Sequence, residues 1–196
     1  MVIIRLSLAL LGSLGFAALL AGSKTKIETD CREAERFAYY SVHGHTSEEL
    51  LKELKTKGPI DALGKRRFAA TDWHVRWRWP MDRSDRAKME ELSVSCSIEI
   101  KLPKWEEFDS ADARLKNTWS KFIDKLIAHE LNHVSFVREL APKIRSEVVA
   151  AKIAKPNLSA GDANEIGYNI LGDIRRRDGQ YDSETNHGKS EGVVLE

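Results

Sequence analysis

Leu126-Ile-Ala-His-Glu-Leu-Asn-His-Val-Ser-Phe136 sets His129 and His133 four residues apart, with Glu130 directly after the first. Around it, across residues 110–140, the apolar side chains Leu115, Trp119, Phe122, Ile123, Leu126, Ile127, Val134, Val137 and Leu140 recur at helical spacing, and no Gly or Pro intervenes before Pro142. The segment therefore reads as one long amphipathic helix. On it the two histidines share a face, so both imidazoles can reach one metal ion. Glu130 is turned about 100° from His129, near enough to take a proton from a water at that ion without being a ligand. Both histidines fall on the inward stripe of Trp119, Phe122, Leu126 and Val137, where an unpaired polar group costs a few kcal/mol. The pattern points to a zinc-dependent hydrolase, with His129 and His133 as ligands and Glu130 as general base.

Catalytic zinc takes three protein ligands and leaves a position for water or substrate. The extended form of the motif needs Gly in place of Phe136 and His in place of Glu139, and is absent. Two segments can supply the third ligand. One is Glu165, within Asn164-Glu-Ile-Gly-Tyr-Asn169, on a second helix; the other is His187, within Gln180-Tyr-Asp-Ser-Glu-Thr-Asn-His-Gly188.

Outside the helix, Trp73-His-Val-Arg-Trp-Arg-Trp79 alternates strictly, and Leu92-Ser-Val-Ser-Cys-Ser-Ile-Glu-Ile-Lys-Leu102 repeats the alternation up to Pro103. These two strands should pair as an antiparallel hairpin with a longer loop. Arg36-Phe-Ala-Tyr-Tyr-Ser-Val-His43 reads as a further strand, and Thr46-Ser-Glu-Glu49 as a capping box opening a short helix that stops before Gly58-Pro59. Strands first and long helices afterwards predict an α+β domain. A small antiparallel sheet should rest on the metal-bearing helix and on a second, C-terminal helix over about 160–177.

The C-terminal pattern Tyr181-Asp182, Thr185 and His187-Gly188, downstream of His-Glu-x-x-His, resembles a bacterial domain-of-unknown-function family described as predicted secreted zinc-dependent proteases. Tyr40, Val42 and Gly44, Thr46 with Glu49-Leu50, Gly58-Pro59, Ala70-Thr71 with Trp73, and Leu102-Pro103 with Trp105 fit the same resemblance, which spans about residues 31–188. It implies a zincin-like fold and a peptide or protein substrate, and it favours His187 over Glu165 as third ligand. Asp182 would then orient a ligating imidazole from behind, and the Tyr181 phenol would donate either there or to an oxyanion; each also has a plain reading, as a turn cap and as a packing residue.

Residues 1–23 set Arg5 before an apolar run ending in Ala21-Gly-Ser23, the pattern of a secretory signal peptide or an uncleaved anchor. The expected location is secreted or periplasmic, the domain covers residues 24–188, and the polar residues 189–196 form a flexible tail. In an oxidising compartment Cys31 and Cys96 either form a bridge or stay as two buried thiols. With 31 Lys and Arg against 30 Asp and Glu, interspersed, the chain has no basic stripe for nucleic acid, and no later segment is apolar enough to cross a membrane. His43 and His45, in a turn at the end of a strand, read as solvent-facing or as weak metal binders, and His74 reads as a surface residue. Two other functions fit the same residues: a non-catalytic periplasmic binding module with a structural metal, and a zinc hydrolase acting on a cell-wall amide. Oligomeric state and substrate specificity are not encoded legibly.

Overall fold

The computed structural model describes residues 31, 35–61, 64–84 and 86–196; the expected signal segment, residues 1–23, lies outside the described residues. The domain is α+β, and its described residues form three strands and four α-helices in the order β1 (Glu35–Val42), α1 (Ser47–Lys57), β2 (Ala70–Arg78), β3 (Ser93–Trp105), α2 (Ala113–Leu140), α3 (Lys143–Ala154) and α4 (Ala160–Thr185).

β3 is the central strand, in the order β1-β3-β2. β2 and β3 pair antiparallel from Ala70↔Lys101 to Arg78↔Ser93, the hairpin that their alternation predicts. β1, however, runs parallel to β3, so the sheet is mixed rather than wholly antiparallel. The cause is the connection: α1 carries the chain across β3 to the opposite edge, which leaves β1 and β3 pointing the same way. β3 also runs past Pro103 to Trp105. Pro103 lies beyond the last β2 pair, where β3 has one neighbour and a missing N–H is tolerated.

α1 opens at Thr46 as its sequence predicts, but the capping box is half formed, because Glu49 reaches back to His45 N and not to Thr46 N. Thr46 Oγ1 accepts from Glu49 N at 3.2 Å, and the Glu49 carboxylate accepts from His45 N at 2.6 Å. Asp112 caps α2 by accepting from Arg114 N and Leu115 N, and the buried face of α2 includes Leu115, Trp119, Phe122, Leu126, Val134 and Val137. Trp119 meets Trp105 of β3 at 5.6 Å and Phe122 at 5.5 Å between ring centres, which joins this helix to the sheet. Cys31 and Cys96 form a disulfide that ties the segment before β1 to β3.

α4 is fixed to β2 by two indoles. Trp73 Nε1 donates to Asp178 at 2.9 Å, and Trp77 Nε1 donates to Asn164 at 2.9 Å. At Gly167 a Cβ would stand 2.6 Å from the Trp77 ring, so only glycine lets strand and helix approach this closely. Residues 189–196 are not a loose tail. They form a 3-10 turn, Lys189–Glu191, and then bury Val193 and Leu195 at 2% and 6% exposure. Two apolar side chains two positions apart give the end of the chain a hydrophobic anchor.

Candidate metal centre

α2 presents His129, Glu130 and His133 inward at 4%, 5% and 8% exposure, so three polar groups on the apolar stripe must find partners inside the protein. α4 supplies them. It continues to Thr185, eight residues beyond the expected Arg177, and so places Asp178 and Asp182 one turn apart on the face that meets the two histidines. Histidines at i and i+4 on one helix thus oppose carboxylates at i and i+4 on another.

Both imidazoles are arranged alike. His129 Nε2 lies 3.2 Å and His133 Nε2 3.3 Å from the same atom, Asp182 Oδ1. Each Nδ1 turns away to its own carboxylate: His133 to Asp178 at 2.9 Å and His129 to Glu191 at 2.8 Å. Donor atoms of His129, His133 and Asp182 fall within 4.8 Å of one another, a group that can hold a metal ion. Carboxylates behind metal-ligating imidazoles fix the tautomer and reserve the forward nitrogen for the metal, and rear carboxylates in that position stand here behind both histidines.

The charges agree with that arrangement. Burial opposes protonation of His133, but its bonds to Asp178 and Asp182 outweigh burial and push its pKa up to about 10 in the metal-free protein. His129 is raised in the same way, with Asp182 and Glu191 overcoming burial. Burial also disfavours the Asp182 anion, yet hydrogen bonds from His129 and His133 hold it far below the usual carboxylate range. Metal binding would therefore displace protons from this group.

Glu130 stands apart from the donor group. Burial pushes its pKa up, partly offset by Thr71, whose hydroxyl donates to Oε2 at 2.7 Å. Its carboxylate faces a cavity of about 510 Å³ that His129, His133, Asp182, His187 and Thr71 also line. The cavity runs along residues 70–72, the first residues of the edge strand β2.

The remaining expected residues divide. His187 lines the cavity, with Nδ1 3.4 Å from Asp182 Oδ1, but it is not part of the three-residue donor group, where Asp182 takes the place expected of it. Glu165 is exposed on α4, seventeen residues before Asp182, which at 1.5 Å per residue is about 25 Å along the helix. It does not reach the site. Tyr181 stacks on His129 at 4.8 Å, and its hydroxyl donates to Glu191 while accepting from Asn132. That phenol belongs behind the imidazole, not in the cavity where an oxyanion would form, and burial with the Glu191 bond pushes its pKa up to about 12. His43 pairs with Glu107, and His74 faces solvent on β2.

Gly188 closes the turn after α4 in the left-handed region at φ +80°; a Cβ there would stand 2.6 Å from Val193 Cγ2 and 3.2 Å from His129 Cγ. Gly188→Ala should destabilise the fold by about 1–3 kcal/mol through backbone strain and the pressed Val193 side chain. Thermal unfolding of the metal-free variant checks this, and an unchanged melting temperature would contradict it.

A helix-borne His-Glu-x-x-His pair that faces a carboxylate of a second helix, beside an open cavity, defines a candidate metal centre in an α+β domain. Residues 37–188 match the family described as "Bacterial protein of unknown function (DUF922)", and the chain belongs to it. The match stops at Gly188, three residues before Glu191. Comparison with curated proteins and with solved structures found no match.

Proposed function

We propose that this protein is a secreted or periplasmic zinc-dependent peptidase in which His129, His133 and Asp182 hold the metal and Glu130 is the general base. The observation that carries the reading is the shared arrangement of the two imidazoles, each with Nε2 toward Asp182 and Nδ1 on a carboxylate, beside a cavity that Glu130 lines. Donors of one tetrahedral zinc ion at about 2.0–2.1 Å stand about 3.3 Å apart, and the contacts of 3.2 and 3.3 Å to Asp182 Oδ1 match that spacing. Bound zinc would supply Lewis acidity and make a water acidic near neutral pH.

Glu130 takes a proton from water in the cavity, its oxygen held by Thr71. Burial raises its basicity, so it keeps that proton long enough to return it to the leaving nitrogen. The outer edge of β2 suits an extended peptide, which can add to the sheet through main-chain hydrogen bonds and bring a carbonyl to the site. The disulfide fits an oxidising compartment outside the cytoplasm.

One observation favours a second reading. His187 Nδ1 lies 3.4 Å from Asp182 Oδ1, close enough for a fourth protein donor, and four donors would make a closed structural site. Incubating the full chain with an unfolded protein substrate, with and without a chelator, separates the two. The peptidase reading expects cleavage that the chelator stops and added zinc restores. A chain that never cleaves but melts when stripped of metal supports the structural reading instead.

A further inference from the structure

We propose that the C-terminal tail is a positioning element of the metal centre, with Glu191 setting the tautomer and orientation of His129; the inference rests on the metal-site reading above. His133 receives its rear carboxylate from within the fold, because Asp178 projects from α4 and is held there by the Trp73 indole. Among the described residues, no α-helix supplies His129 with an equivalent. Its Nδ1 partner is Glu191, at 2.8 Å, delivered by the 3-10 turn that follows α4.

Three contacts build the unit around Glu191, one of them on its own carboxylate. Tyr181 donates its hydroxyl to the same carboxylate, with oxygens at 2.7 and 2.9 Å. The Tyr181 ring stacks on the His129 ring with 19° between planes, so phenol, carboxylate and imidazole form one unit. Asn132 donates to the Tyr181 oxygen at 2.6 Å, leaving the phenol proton for Glu191. The acceptor carboxylate requires a hydrogen on His129 Nδ1, so Nε2, which donates to Asp182 in the metal-free protein, is the nitrogen that would give up its proton to bind a metal.

Behind Glu191 the chain is anchored. Val193 N donates to Gly188 O at 3.0 Å, and Val193 and Leu195 are buried in the core. Val193 stands against Gly188, and Gly188 against the His129 ring, so the tail backs the imidazole directly. A segment that served only as a hydrophobic plug would need the two apolar anchors and not the carboxylate.

The test is zinc affinity, measured on the full chain by competition with a chromophoric chelator, for wild type, Glu191→Gln, Glu191→Ala and the tail control Glu196→Gln. Loss of a rear partner costs about 10–100-fold in metal affinity. Glu191→Gln, which keeps shape and an acceptor but not charge, should weaken binding about 10-fold, and Glu191→Ala up to about 100-fold. Glu196→Gln should match wild type. Cobalt absorption should change in shape in the Glu191 variants, a change in the metal's surroundings that a purely structural role would not give. If wild type binds zinc and both Glu191 variants bind it equally well, the tail proposal is overturned and the metal site stands. Should wild type bind no zinc, the metal-site reading falls and takes this proposal with it.

Discussion

Glu130→Gln should keep a full metal equivalent and lose peptide turnover by about 10³-fold, within the range of about 10²–10⁴ for a lost general base. The carboxylate is not in the donor group, so exchanging it for an amide removes no ligand. The amide has the same shape, and its oxygen can still accept from the Thr71 hydroxyl that now bonds Oε2 at 2.7 Å. What disappears is the capacity to accept a proton. Metal analysis together with kcat on a cleaved peptide checks both halves. Wild-type turnover by this variant would remove Glu130 from the mechanism, and loss of the metal would make it a ligand.

The second large effect separates Asp182 from His187. Structural zinc binding of about 10–16 kcal/mol over four ligands is roughly 3 kcal/mol per ligand, so Asp182→Ala should weaken zinc binding by at least about 10²–10³-fold. Asp182 Oδ1 is also the one atom that both Nε2 nitrogens approach, which makes it the pivot of the group. His187 meets the group through Asp182, and its side chain is 39% exposed. His187→Ala should therefore change zinc affinity by less than about 10-fold. The comparison is made by chelator competition on both variants. The reverse order, with His187→Ala losing the metal and Asp182→Ala retaining it, would restore the histidine as third ligand.

The elements whose side chains repeat with one period were legible. α2 shows its apolar stripe at helical spacing, and β2 and β3 show strict alternation, because in each case burial on one face selects the pattern. The end of α4 was not. Residues 178–185 read Asp-Gly-Gln-Tyr-Asp-Ser-Glu-Thr, polar and with a glycine, the composition of a loop. They stay helical because their inward positions meet histidines and an indole instead of apolar side chains. The available signal was a second four-residue spacing, Asp178 to Asp182, that mirrors His129 to His133.

The same cause hid Glu191. An acidic residue in a polar terminus looks solvated, and the anchor behind it, Val193 and Leu195, is only two side chains long. α3 carries no comparable signal in its sequence, since its buried side is as narrow as Ile144 and Val148. Asp182 was legible as a participant but not as a member of the donor group. Sequence spacing cannot tell which of two neighbouring side chains, Asp182 or His187, turns inward at the end of a helix. Both line the cavity, Asp182 from the last turns of α4 and His187 from the left-handed backbone after it, where Asn186 and His187 take φ 48° and 52°.

Anomalous scattering at the zinc edge, from crystals of the zinc-loaded protein, tests the central claim most directly. One peak is expected among His129 Nε2, His133 Nε2 and Asp182 Oδ1, open to the cavity beside Glu130. No peak there, or a peak enclosed by four protein donors, would contradict it.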